Sequence, residues 1–237
     1  MKKNKFYCIF FCLLFSIYVL IQNSYAKEIV EPDRQSGNQL GKTDFDRMAD
    51  LEFRENMDSL ELLMLKLYKR NPSQLKKSTS DNAELMVKWV FHGDHNNSFK
   101  EIQNKKDIDA LNLVWDNSFK GDRVLALIVG LKTMLLESHE GKSDFYLFDK
   151  IDPQKIYNVA RNIEVVVWKL STKKDMDNNY FLITNSLDET NQNLSFEREF
   201  GKIIGRTDYF AYTLSEKTAR TITRVFQSVT TRLFLPF

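Results

Sequence analysis

Three groups of residues have types and spacings that could do chemistry. The first is His92, Asp94 and His95 in "HGDHNN", with His139 able to join from afar. Neutral imidazoles and a carboxylate are ligands for zinc or another transition metal. However, His92-x-x-His95 lies in a Gly/Asn-rich turn instead of on a helix face. No HExxH is present, and no second carboxylate is placed to act as a base. The preferred reading is a solvated turn, with a metal site as the alternative. The second group, Lys217, Arg220 and Arg224 with Gln227, lines up on one helical face. Such a stripe could receive an acidic partner, a lipid headgroup or a glycan acid, and its plain reading is the outer face of an amphipathic helix. The third, Asn158, Arg161, Asn162 and Glu164, is a similar polar set. Glu164 is expected to pair with Arg161, and nothing near it in sequence completes a catalytic carboxylate dyad.

Gly141-Lys142-Ser143 supplies only the end of a phosphate-binding loop. The first glycine of that motif would have to stand at Leu136, inside a helix-forming run. The run itself, "GDRVLALIVGLKTMLLESHEGKS", is too short and too interrupted by Lys132 to span a bilayer. What remains is a helix, hydrophobic nearly all round, over about 122–138. That is the expected central member of a bundle, with Gly130 admitting a close neighbour at a propensity cost of ~1 kcal/mol.

The other elements must surround that helix. Phe53, Met57, Leu60, Met64 and Leu67 share one helical face, which Asn71-Pro72 ends. Pro72 can start a short helix through Lys77, and Asp81 can cap another running to about Phe91. Asp152-Pro153 opens a helix whose apolar period runs from Ile156 to Leu170; Val165-Val166-Val167-Trp168 is β-prone, but the period favours helix. Tyr180–Thr184 and Phe145–Phe148 are strand candidates. Ser195 is a possible cap before Phe196, Phe200, Ile203 and Ile204, and Thr213-x-x-Glu216 reads as a capping box for a last helix with Ile222, Val225, Phe226, Val229 and Leu233 on its apolar face. Gly201-x-x-x-Gly205 is expected to pack in the core. The terminal "RLFLPF" has the aromatic end of a barrel strand, but the helical period upstream and Pro236 argue against one. The fold expected is mainly α: a multi-helix bundle with at most a short β-hairpin.

Lys2, Lys3 and Lys5, the sixteen-residue apolar or small run Phe6–Ile21 and Ser24-Tyr25-Ala26 form a three-part export signal cleaved after Ala26. The rival reading is an uncleaved anchor. Cleavage removes both cysteines, Cys8 and Cys12, which excludes a disulfide framework, a cysteine nucleophile and a zinc-thiolate site from the product. It also removes three lysines and no acids, taking the formal charge from +2 to −1, so nothing global points to nucleic acid. The expected organisation is a signal peptide (1–26), a flexible leader rich in breakers (27–42) and one α-helical domain (43–237), with no transmembrane segment after cleavage.

"RNPSQLKKS", "GDRVLALIVGLKTML", "NVARNIEVVVWKL", "NLSFEREFGKIIG" and "FLPF" resemble a group of uncharacterised exported proteins of Gram-negative bacteria. The likeness covers most of residues 60–237. It implies an envelope location and carries no activity, cofactor or catalytic residue. Together these readings favour a periplasmic or secreted, non-enzymatic binding or accessory protein without a cofactor, whose partner is an envelope protein or an anionic envelope component. The alternative is a periplasmic hydrolase, metal-dependent through His92, Asp94 and His95.

Overall fold

Thr43 and Asp46 cap each other's backbone and start a helix that sets the frame of the protein. The Thr43 hydroxyl accepts from Asp46 N at 3.2 Å while Asp46 Oδ2 accepts from Thr43 N at 2.8 Å. This computed structural model describes residues 43–142, 151–188, 191–219, 222 and 233–237. The first helix, α1 (Asp44–Arg70), has acids in its first turn and Lys69 and Arg70 in its last, both favourable to the helix dipole. Phe53, Leu60, Met64 and Leu67 lie on its buried face. Asn71 stops it, donating from Nδ2 to Leu67 O at 2.9 Å.

A single turn, α2 (Pro72–Leu75), precedes α3 (Ala83–His92). The cap of α3 is Asn82, not Asp81 as expected: Asn82 Oδ1 accepts from Leu85 N, while Asp81 N is turned onto the Thr79 hydroxyl. A 3₁₀ turn (Lys100–Ile102) leads to α4 (Asp107–Val114), then α5 (Arg123–Ser138) and α6 (Pro153–Thr172). A hairpin of β1 (Ser186–Asp188) and β2 (Asn191–Asn193) pairs Leu187 with Gln192, and α7 (Ser195–Thr218) follows.

The central helix is α5. Residues Val124 to Val129 are fully buried on every side, so no polar face exists and the helix must be enclosed. Neighbours α1, α4 and α6 enclose it. Gly130 is where α4 comes closest: a β-carbon there would lie 2.7 Å from Leu111 Cγ and 2.9 Å from Asp107 O. Helix α7 packs along α6 and α1 and covers a second, smaller cluster made by Ala49, Phe53, Ile156, Phe210 and Leu214. Residues Lys42–Phe237 form one compact unit, mainly helical, with seven α-helices among the described residues. No helix among them is long and apolar enough to cross a membrane.

Four further expectations need correction. Tyr180–Thr184 is not a strand of a sheet: Tyr180 makes one isolated bridge with Lys174. Leu182 and Thr184 are buried and Ile183 is half exposed, so the alternation is real. The backbone of Ile183 is instead satisfied by the Asn71 side chain, which accepts from Ile183 N at 2.8 Å and donates to Ile183 O at 2.9 Å. Phe145–Phe148 lies outside the described residues. Second, Thr213 and Glu216 cap nothing. They sit inside α7, where the Thr213 hydroxyl donates to Tyr209 O, because Phe210, Ala211 and Leu214 continue the buried face without a break. The helix ends at Ala219, in left-handed conformation, and Leu233 is not helical. Third, Gly201 and Gly205 are exposed with no neighbouring atom within 4 Å, so they line the outer face of α7 and not a helix contact. Fourth, Ser195 is the first residue of α7, not its cap: Leu194 precedes it, and Ser195 N donates to Asn193 Oδ1.

Partly buried lysines give the fold an alkaline response. Burial lowers Lys132, whose Nζ donates to Val90 O at 2.7 Å, to about 8, and likewise Lys169 to about 8. Lys66 and Lys77 are shifted the same way by the same cause. Between pH 8 and 10 the unfolded chain therefore holds protons that the native lysines have released, so stability rises with pH. Above pH 10 the sign reverses, because burial and the neighbouring Asp122 keep the Tyr68 phenol protonated when the unfolded tyrosine ionises. A urea midpoint higher at pH 9.5 than at pH 8 is the expected result; a fall over that interval would contradict these placements.

Candidate functional site

The histidines are not brought together. His92 is exposed, its Nε2 3.5 Å from Glu61 Oε2. His95 holds its own turn: Nδ1 accepts from Asn97 N at 2.9 Å, which leaves the proton on Nε2 to be donated to Trp89 O at 3.0 Å. Its ring also packs against Trp89 and Phe99. With both ring nitrogens engaged, His95 builds the turn that carries Asn96 and Asn97 at positive φ. Asp94 is exposed on the same turn. Among the described residues no group of three His, Cys, Asp or Glu is placed to hold a metal.

His139 lies elsewhere, fully buried at the C-terminal end of α5. Its Nδ1 faces Leu135 O at 2.8 Å and, because a carbonyl only accepts, carries a proton. Its Nε2 meets Glu52 Oε2 at 3.0 Å. Glu52 Oε1 accepts in turn from Asn56 Nδ2 and from the Thr207 hydroxyl at 3.1 Å. Arg206 closes the set with Nε on Asn56 Oδ1 and Nη2 on the Ser59 hydroxyl. The ring stacks on Phe210 and meets Phe53 edge-on. Ser138 is adjacent, but its hydroxyl donates to Leu135 O and it too is fully buried. This network ties α1, α5 and α7 together and is closed to a substrate; its role is cohesion. Glu52 and Asn56, four residues apart beside Phe53 and Leu60, were its only sequence signal.

Arg161 pairs with Glu164 at 3.1 Å, as the spacing suggests, and also with Asp208 from α7. It lies over the Tyr157 ring, 5.0 Å from the centroid. Burial raises both Glu164 and Asp208, and Arg161 pulls each of them back down. A guanidinium between two carboxylates is already neutralised, so an anion would have to displace an acid to reach it. Lys217 does not join this group. Its ammonium sits 3.6 Å above the Phe45 ring, at the start of α1. Arg220, Arg224 and Gln227 lie outside the described residues.

A surface not singled out by the sequence lies between α1 and α3. Asp58, Glu61, Leu62 and Leu65 fall on one stripe of α1 and face Glu84 and Val87 of α3 across an open cleft of about 360 Å³. Leu62 is 43% exposed, although the buried face of α1 is complete without it. Its rim is acidic. Glu84 is paired with Lys69 at 2.9 Å, and that hydrogen bond holds its carboxyl below the usual range. Asp58 has no ion pair among the described residues. Beyond the cleft, α3 also exposes Leu85 and Trp89. The available signal was the surplus: Leu62 falls beside a stripe that already suffices to bury α1. Comparison with protein-family models, with curated proteins and with solved structures finds no match, so this geometry carries the functional reading by itself.

Proposed function

We propose that this chain is an exported envelope protein that acts by binding, without catalysis, and that the cleft between α1 and α3 is its docking surface. The three-part N-terminus supports export. One observation carries the rest: a cleft with leucine and valine on its floor and three carboxylates on its rim. A cleft near the lower end of the ~300–1,000 Å³ typical of small-molecule pockets, and open along its side, suits inserted side chains better than an enclosed ligand. Apolar side chains from a partner fill the floor, and its lysines or arginines meet Asp58, which has no ion pair among the described residues, and compete with His92 for Glu61 and with Lys69 for Glu84. The partner is therefore a cationic amphipathic segment, in the helix-in-groove mode. This is the opposite charge to the partner that Lys217, Arg220 and Arg224 suggest; the cleft is preferred because it joins an apolar floor to charge, whereas the Lys217 ammonium is already engaged over the Phe45 ring.

Titration of a labelled amphipathic peptide built from leucine and lysine tests this reading. Wild-type protein is expected to bind it with an affinity that falls as salt rises. The Asp58→Lys, Glu61→Lys variant should bind at least about tenfold more weakly, equivalent to about 1.4 kcal/mol. Exposed charges contribute only ~0–1 kcal/mol each to stability, so the fold should be retained. Equal affinity for both proteins would remove the cleft as the docking surface.

A further inference from the structure

The described C-terminal residues lie along α6 in a way that side chains of α6 read through the backbone. Asn162, fully buried, accepts from Leu235 N at 2.6 Å and donates to Leu235 O at 2.8 Å. One helical turn earlier, Asn158 Nδ2 donates to Pro236 O at 2.7 Å. Side-chain amides thus satisfy consecutive peptide units of an extended segment, as a neighbouring strand would. Asn71 does the same for Ile183 in the interior. The flanking side chains fill shaped positions. Phe234 lies under the Lys169 ammonium, 4.0 Å from its ring centroid, and beside Trp115 at 6.4 Å. Phe234 and Phe237 both pack on the main core. Trp115 Nε1 is buried without a hydrogen-bond partner among the described residues, at the edge of the Phe234 position.

Bonds to backbone do not depend on which chain supplies the peptide. We infer that this face of α6, with Asn158, Asn162, Trp115 and Lys169, is a peptide-binding groove for an extended, uncharged partner segment of aromatic-Leu-Pro-aromatic type, which residues 234–237 occupy as an internal ligand. Three features of that segment define the class. The Leu235 N–H must be free to donate, Pro236 keeps the chain extended, and the aromatic residues on either side fill the apolar positions. This surface is separate from the cleft between α1 and α3 and stands or falls independently of it.

The test uses the full chain and a labelled peptide with the sequence of residues 233–237, its termini capped so that it carries no charge. In wild type the internal segment competes at an effective concentration in the ~mM range, so the peptide binds weakly. The Phe234→Ala, Phe237→Ala variant loosens the internal segment and leaves the groove intact, so it should bind the peptide at least tenfold more tightly. Adding Asn162→Ala should abolish the gain. The same peptide carrying an N-methyl group at the position of Leu235 should fail to bind the unchanged double variant, which separates loss of the clamp from loss of the fold. No gain in the double variant, or equal binding of the N-methyl peptide, would overturn the assignment. A concentration-dependent wild-type dimer that the peptide dissociates would overturn the internal occupancy, since a second copy of this chain would then supply the segment.

Discussion

Replacing Glu52 with alanine is expected to lower the unfolding free energy by about 3–5 kcal/mol, the usual consequence of removing one partner from a buried, hydrogen-bonded charged group. The substitution takes away the partner of His139 Nε2 and the acceptor of Asn56 Nδ2 and the Thr207 hydroxyl at once. His139 and Thr207 are fully buried, so water cannot replace the lost carboxylate without opening the seam among α1, α5 and α7. Arg206 loses indirectly, because Asn56 is the residue that accepts from its Nε. Chemical denaturation of the single variants and of Glu52→Ala, His139→Ala together gives the coupling. A non-additive pair is expected, because either change alone takes away the partner that the buried Nε2 of His139 and Oε2 of Glu52 find in each other. Additive effects, or an unchanged midpoint in Glu52→Ala, would mean that the two side chains do not meet.

Gly130→Leu is expected to cost about 1–3 kcal/mol or more, by overpacking the seam between α5 and α4. Even the β-carbon of an alanine would fall 2.7 Å from Leu111 Cγ and 2.9 Å from Asp107 O, and the second of these atoms is backbone, which cannot swing aside. Gly201→Ala is the matched control. It lies in a helix with no atom within 4 Å of the new methyl group, so it should gain up to ~1 kcal/mol of helix propensity with no clash. Opposite signs for the two substitutions in urea denaturation would establish which glycine is a contact. A neutral Gly130→Leu would place α4 elsewhere.

The residues that could be read from the chain are those whose partners lie within a turn or two. Asp152 caps α6 as Asp152-Pro153 indicates, since an N-cap is decided by amides two and three residues on; Asp122, read only as the start of the central helix, caps α5 in the same way. The same locality misleads at Thr213, where a capping-box pattern lies in a helix whose buried face continues through it. It misleads again at Gly201-x-x-x-Gly205, where spacing says nothing about which face turns outward. The Arg161–Glu164 pair is local and legible; its second acid, Asp208, comes from another helix. The clamps of Asn71 on Ile183 and Asn162 on Leu235 join residues 112 and 73 positions apart, and a buried asparagine has no periodicity to announce it. The cleft was missed for a different reason. Leu62 is one more leucine of an apolar helix until the structure shows α1 buried without it, with Leu65 only partly covered at the edge of the core.

The most direct test of docking between α1 and α3 is an amide chemical-shift map of the isotopically labelled full chain, titrated with the leucine–lysine peptide. The expected result is saturable shifts concentrated at Asp58, Glu61, Leu62, Leu65, Glu84 and Val87, with the outer face of α7 at Gly201, Gly205 and Tyr209 unmoved. Shifts that gather on α7 or around Arg161, or a spectrum that stays unchanged at millimolar peptide, would contradict it.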